Sequence, residues 1–112
     1  MNSAEFPLEL SVAEANALVK GDPAGVRILD VREPHEFEIC ALPAAEKIPM
    51  RQIPENLTSL PRDVHLLVMC HHGGRSMRVT QFLRAQGFNA VSNIAGGIDA
   101  WAEQIEPTLA RY

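Results

Sequence analysis

The chain predicts an α/β fold, a parallel β-sheet covered by helices on both faces. Three observations carry this. Short apolar, β-rich runs recur at "VRILDV" (26–31), "HLLVM" (65–69) and "AVSNI" (90–94). Helical patterns lie between them, so strands alternate with helices. The runs are largely apolar throughout, as suits strands buried between two layers.

Each element follows from local chemistry. "FPLEL" reads as a short first strand. Ser11 opens "SVAEANALVK" with Glu14 three residues on, a capping box at a helix start. Gly21, Pro23 and Gly25 break that helix before "VRILDV". "EPHEFEI" predicts a short helix with Pro34 near its start. "EKIPM" predicts a short strand stopped by Pro49. "RQIPENLTSL" holds a helical turn or two. After "HLLVM", residues 76–86 predict a helix with Val79, Phe82 and Leu83 on one face and Gly87 as its C′ residue. "AVSNI", a Gly96-Gly97 turn and the helix "IDAWAEQI" close the chain.

Whole-chain properties set the limits. The 112 residues suffice for one domain with one core, so the prediction is a single domain over 1–112. Apolar residues make up 46% and charged residues 21%, within the range of globular proteins. No apolar run approaches the roughly 20 residues of a membrane span. The N-terminal "MNSAEFPLELS" carries acids where a signal peptide has a basic and then an apolar segment. A cytoplasmic protein is the expectation. Two cysteines, Cys40 and Cys70, are too few for a disulfide framework and are expected to be thiols.

The charge is unevenly spread. Net charge is −4, yet residues 64–98 contain no acid and three arginines, Arg75, Arg78 and Arg84. That basic window in an acidic chain suits a small anionic substrate or a stabilised thiolate better than nucleic acid.

Cys70 lies in this window, where the strand "HLLVM" meets the turn "HHGGR". In parallel α/β sheets, ligands bind beyond the carboxyl ends of the strands. Gly73 and Gly74 permit successive backbone N–H groups to point at one centre, an anion-binding nest. The following helix adds the positive end of its dipole. A cysteine in that field is favoured as the thiolate, its reactive form. An inert buried thiol is the usual reading of an isolated cysteine, but glycines, charge and strand–turn–helix context all oppose it here.

These residues also resemble a family. "CHHGGRS" is similar to the C-x-x-G-x-R active-site loop of rhodanese-type sulfurtransferases. "LDVREPHEFE", "LPAAEKIP" and "NIAGGIDAW" resemble three further family segments, in family order from about Leu29 to Trp101. The resemblance implies a five-stranded parallel sheet flanked by helices on both faces. It implies that Cys70 is the sulfur-carrying nucleophile and that residues 71–75 surround the persulfide, with Ser76 at the loop's end. Sulfur would pass from a small anionic donor such as thiosulfate to cyanide, a cellular thiol or a protein acceptor. No cofactor, nucleic acid or membrane enters that chemistry.

Loop length separates sulfur from phosphorus. Six residues run from Cys70 to Arg75, whereas the phosphatases of this fold are known for a loop one residue longer. A longer ring accommodates a tetrahedral oxyanion; a shorter one suits a single sulfur, because donors must lie within about 2.7–3.1 Å of the charge they stabilise. A phosphatase-like or arsenate-reductase-like enzyme is thereby disfavoured. A non-catalytic or partner-directed sulfur-relay module is the other alternative, and the cysteine argues against its non-catalytic form.

The remaining candidates have more than one reading. Arg75 binds the anionic donor or braces the loop against a carboxylate, with bracing favoured. His71 and His72 line the mouth and select donors, or are exposed turn residues. Gly73 and Gly74 shape the backbone. Asp30 and Arg32 match the family's D-V-R and read as structural support, as does Glu36. Trp101 reads as core or lid, and Gly96 and Gly97 as points of close backbone approach.

Zinc is not expected. Cys70, His71 and His72 are consecutive and rarely converge on one ion, and the usual ligand spacings are absent. His35 and His65 show no partners. Cys40 stands where the family has glycine, with Ala41 for its histidine and Ala44 for its second glycine. Cys40 reads as a packing thiol rather than a resolving partner of Cys70.

Overall fold

The computed structural model describes residues 6–112. Residues 1–5, part of the stretch read above for a targeting signal, lie outside it. The elements run in chain order: β1 (Glu9–Leu10), α1 (Val12–Gly21), β2 (Val26–Asp30), α2 (Pro34–Ile39), β3 (Glu46–Lys47), β4 (His65–Met69), α3 (Gly74–Ala85), β5 (Val91–Ile94) and α4 (Gly97–Gln104). Two 3₁₀ turns, Met50–Gln52 and Pro54–Asn56, fill the link before β4.

The sheet has five strands in the order β1-β5-β4-β2-β3, all parallel. Side chains alternate across it, so each strand feeds two cores. Leu67 and Met69 of β4 join α1 and α4 through Val12, Ala15, Ile98 and Trp101. Leu66 and Val68 face the other way, onto Val79 and Leu83 of α3 and onto Ile53 and Leu60 of the 3₁₀ region. Both faces are covered, as the apolar runs require. Among the described residues, no helix is long and apolar enough to cross a membrane.

The capping box forms at α1: Ser11 Oγ accepts from the Glu14 N–H at 3.1 Å, and Glu14 accepts from the Ser11 N–H at 2.9 Å. A second box, unpredicted, opens α2, where Glu36 accepts from the Glu33 N–H at 3.0 Å.

Several boundaries differ from expectation; β3, for one, keeps only Glu46–Lys47 of "EKIPM". β1 shrinks from "FPLEL" to two residues, because only Leu10 of that run is buried. α3 begins at Gly74 rather than Ser76: Gly73, at φ 111°, turns the chain so sharply that its carbonyl already accepts from the Met77 N–H at 3.1 Å. α4 likewise starts one residue early, at Gly97, behind Gly96 at φ 79°.

Every strand is parallel, so all their carboxyl ends lie along one edge of the sheet. Cys70 follows the central strand β4 at that edge. Arg32 and Glu36 follow its neighbour β2, and Gly96 and Gly97 follow its other neighbour, β5.

Candidate active site

Cys70 is buried, with 1% of its surface exposed. Its Sγ accepts from the backbone N–H of Gly73 at 3.1 Å and of Ser76 at 3.4 Å, and the Ser76 hydroxyl lies 3.3 Å away. The N–H groups of Gly74 and Arg75, in the first turn of α3, have no carbonyl of their own helix to bond. The loop therefore forms a ring that brings two backbone N–H groups and a hydroxyl to one sulfur.

Helix α4 holds this ring in shape. The Ile98 N–H donates to the Cys70 carbonyl at 2.9 Å and the Asp99 N–H to the His71 carbonyl at 3.1 Å. These two bonds turn the Cys70 and His71 carbonyls toward α4 and away from the sulfur. The approach is close enough to require glycine at position 97. A Cβ there would stand 2.4 Å from the Cys70 oxygen and 2.5 Å from that of His71, and φ is 58°. Of the Gly96-Gly97 pair, Gly97 makes the close approach to the loop, while a Cβ at Gly96 would stand 2.6 Å from Ala100 Cβ. Of the loop glycines, Gly73 carries the left-handed turn, whereas a Cβ at Gly74 would meet nothing within 4 Å.

The segment after β2 forms a charged brace beside the ring. Asp30 and Arg32 are fully buried and pair through a double hydrogen bond: Nη2 to Oδ2 at 2.7 Å and Nε to Oδ1 at 3.0 Å. The rest of the Arg32 guanidinium donates to the carbonyls of Glu36 (3.2 Å) and Cys40 (2.8 Å) and to the Tyr112 hydroxyl (2.9 Å). Every polar end of this buried ion pair is satisfied, as a buried charge requires.

Arg75 reaches from the loop to the same place. Its Nη1 lies 2.6 Å from Glu36 Oε1 and its Nη2 2.9 Å from Oε2, a bidentate pair. The Tyr112 hydroxyl donates to Glu36 Oε2 at 2.7 Å. Hydrogen bonding from Arg75 holds the Glu36 carboxyl well below the usual carboxylate range, against the opposing effect of its burial. Of the two readings of Arg75, the geometry is that of the brace. Burial, followed by the hydrogen bond to Glu36, pushes the Tyr112 phenol up to about 12, against the opposing pull of Arg32.

The histidines divide. The His71 ring stacks between Tyr112 (3.8 Å between centroids, 4° between planes) and His72 (3.8 Å, 28°). Burial, and then the neighbouring His72, lowers the His71 imidazole below its ordinary value. His72 is 66% exposed. Among the described residues, Cys70 does not join His71 and His72 in a cluster of ligand types, but a residue from outside the loop does. Asp99, brought in by α4, places its carboxylate with His71 and His72 so that their donor atoms lie within 4.8 Å of one another. Arg111 already binds both Asp99 oxygens, at 3.0 and 3.1 Å. His65 also has a partner after all, Ser92 Oγ at 2.8 Å.

Three contributors escaped the sequence reading. Tyr112 and Asp99 come from parts of the chain with no local signal. Asn93, fully buried, bonds Ser76, Gly73 and Glu9; its signal is the polar pair Ser92-Asn93 inside a buried strand. Trp101 is core rather than lid. Cys40 packs against the α1/α4 core, whereas Cys70 belongs to the core on the opposite face, and both are free thiols.

Comparison with known proteins matches residues 11–104 to the rhodanese-like domain. The chain belongs to the rhodanese-like family. Among relatives, a sulfurtransferase of Allochromatium vinosum is 35% identical over 89 residues, covering 80% of this chain and 83% of that protein. A rhodanese-like/PpiC domain-containing chloroplast protein of Arabidopsis thaliana is 40% identical over 90 residues, covering 77% of this chain. The rhodanese-like chain spans only 30% of that longer relative. Among solved structures, the human single-domain sulfurtransferase TSTD1 superposes with a TM-score of 0.77 at 26% identity, covering 87% of this chain and 96% of its own.

Proposed function

We propose that this chain is a sulfurtransferase that carries sulfane sulfur as a persulfide on Cys70. The observation that carries the reading is the convergence of backbone donors on Cys70 Sγ, from Gly73 at 3.1 Å and Ser76 at 3.4 Å, within a six-residue loop. The family, and relatives named as sulfurtransferases, support it.

The chemistry is nucleophilic. The Cys70 thiolate attacks the outer sulfur of a donor such as thiosulfate. A Cys70–sulfur bond forms, the donor's S–S bond breaks, and sulfite leaves with the electron pair. The terminal persulfide sulfur is anionic and rests among the N–H groups of residues 71–76. An acceptor, cyanide in an assay or a thiol on a small molecule or protein, attacks that sulfur, and the Cys70 thiolate departs. Every electron pair is accounted for without a metal or organic cofactor.

The other residues serve the ring. Gly73 turns it, Gly74 and Ser76 carry it into α3, and Arg75 fastens it to Glu36. Asp30 and Arg32 position Glu36 and the Tyr112 hydroxyl rather than touch the donor. His71 and His72 form its rim, with His71 uncharged near neutrality. Transfer by a soluble cytoplasmic protein, to a thiol partner, completes the reading.

The test assays thiosulfate with cyanide, a phosphoester and arsenate side by side. Thiocyanate should form, with no phosphate release and no arsenate reduction, and Cys70→Ser should abolish it. Phosphoester hydrolysis or arsenate reduction without thiocyanate would replace the reading with an oxyanion enzyme.

A further inference from the structure

Asn93, in β5, is fully buried beside the loop. Its Nδ2 faces two groups that can only accept, the Glu9 carboxylate at 2.8 Å and the Gly73 carbonyl at 3.2 Å. These fix the amide's orientation and aim Oδ1 at Ser76 Oγ, 2.5 Å away. An amide oxygen only accepts, so the Ser76 proton points to Asn93. The same hydroxyl lies 3.3 Å from Cys70 Sγ. Ser76 has one hydroxyl proton and cannot give it to both.

We propose that Asn93 is a positioning residue that competes with Cys70 for the Ser76 hydroxyl proton and so sets the pH at which Cys70 becomes reactive. While Cys70 is a thiol, its S–H donates to Ser76 Oγ, and Ser76 donates to Asn93 Oδ1. Every group in the chain is satisfied. When Cys70 loses its proton to solvent, the hydroxyl rotates to the anionic sulfur and joins the Gly73 and Ser76 N–H groups there. Asn93 Oδ1 then loses its donor in a fully buried place, which is costly. Ser76 favours the anion; Asn93 opposes it. The pair thus damps ionisation of the resting thiol and releases its donor as charge develops on Sγ.

The proposal rests on Cys70 being the nucleophile of the site. Its test, however, needs no sulfur transfer, so the two readings fail separately. Alkylation of Cys70 by iodoacetamide is followed peptide by peptide as a function of pH, which keeps Cys40 out of the signal. Ser76→Ala should move the midpoint up by about half a pH unit, the size expected for one modest hydrogen bond. Asn93→Ala should move it down by a similar amount, because Ser76 then has no competing acceptor. In the double variant the Asn93 effect should vanish, since there is no hydroxyl left to compete for. A purely structural Asn93, holding Gly73 in place, would instead shift the midpoint upward, and equally in both backgrounds. That result would overturn the proposal. If Asn93→Ala does not fold, Asn93→Leu, which keeps the volume and removes the acceptor, takes its place with the same expected shift, and an unshifted midpoint in Ser76→Ala would also overturn the proposal.

Discussion

The segments that follow β4 and β2 lie side by side at one edge of the sheet and solve opposite problems. After β4, residues 70–76 build with backbone: N–H groups of Gly73 and Ser76 meet the Cys70 sulfur, and the carbonyls of Cys70 and His71 are tied off by α4. After β2, residues 30–40 build with side chains: Asp30 neutralises Arg32, Glu36 neutralises Arg75, and the Tyr112 hydroxyl links the two pairs. The first region presents unshared donors to a ligand. The second uses up nearly all its charge internally. A ring of amides can hold an anionic sulfur only if it keeps its shape, and the brace supplies a fixed point for Arg75, which precedes the ring's last residue, Ser76.

The two regions should therefore break differently. The largest effect is expected from Arg32→Ala. It leaves the Asp30 carboxylate unpaired where both partners are fully buried. The expected loss is about 3–5 kcal/mol, the usual cost of removing one partner of a buried ion pair, read as the shift in a urea unfolding curve. Next comes Gly97→Ala, which pushes a methyl group into the two carbonyls held by α4 and forces a left-handed φ on a residue with a side chain. About 3 kcal/mol of stability should go. Sulfur transfer should fall further than with an equally destabilising change remote from the site, because the ring itself is displaced.

Acid should loosen the brace. Glu36 is held below the ordinary carboxylate range by Arg75, so its contribution is present above the unfolded carboxyl value of about 4.3. That contribution is lost as pH falls from there toward the lower folded value. Stability against pH should decline through this window in the parent protein. In Glu36→Gln the decline should be shallower by about 1–2 kcal/mol, the scale of hydrogen bonds to a charged group.

The smallest effect belongs to Gly74→Ala. Position 74 begins α3, has no positive φ, and offers open space to a methyl group. The change should be neutral or stabilise by about 0.5 kcal/mol, through reduced freedom of the unfolded chain. Comparable losses at positions 74 and 97 would mean that the loop's glycines act through flexibility rather than through specific contacts.

This contrast also explains what was legible in the sequence. The backbone region was read from "CHHGGRS" alone, because glycines, a strand end and a helix start are consecutive in the chain. β4 was placed at 65–69 and the α1 capping box at Ser11 and Glu14 for the same reason. The side-chain region was only half legible. Asp30, Arg32 and Glu36 are neighbours in sequence, but their partners are not: Arg75 stands 39 positions from Glu36, and Tyr112 stands 80 from Arg32. Asn93 and Asp99 depend on how β5 and α4 dock against the loop, which no local pattern encodes. Helix starts were misplaced where a left-handed glycine, Gly73 or Gly96, let the helix begin earlier than the apolar pattern did.

The central claim is that the amide ring around Cys70 holds a sulfur atom. Intact mass after incubation with thiosulfate tests it most directly. The account predicts a single added sulfur, about 32 Da, located at Cys70 by peptide mapping and removed by cyanide, as covalent sulfur transfer requires. Cys40→Ala should gain the same adduct, and Cys70→Ser should gain none. An unchanged mass in the folded parent protein, or an adduct that persists in Cys70→Ser, would contradict it.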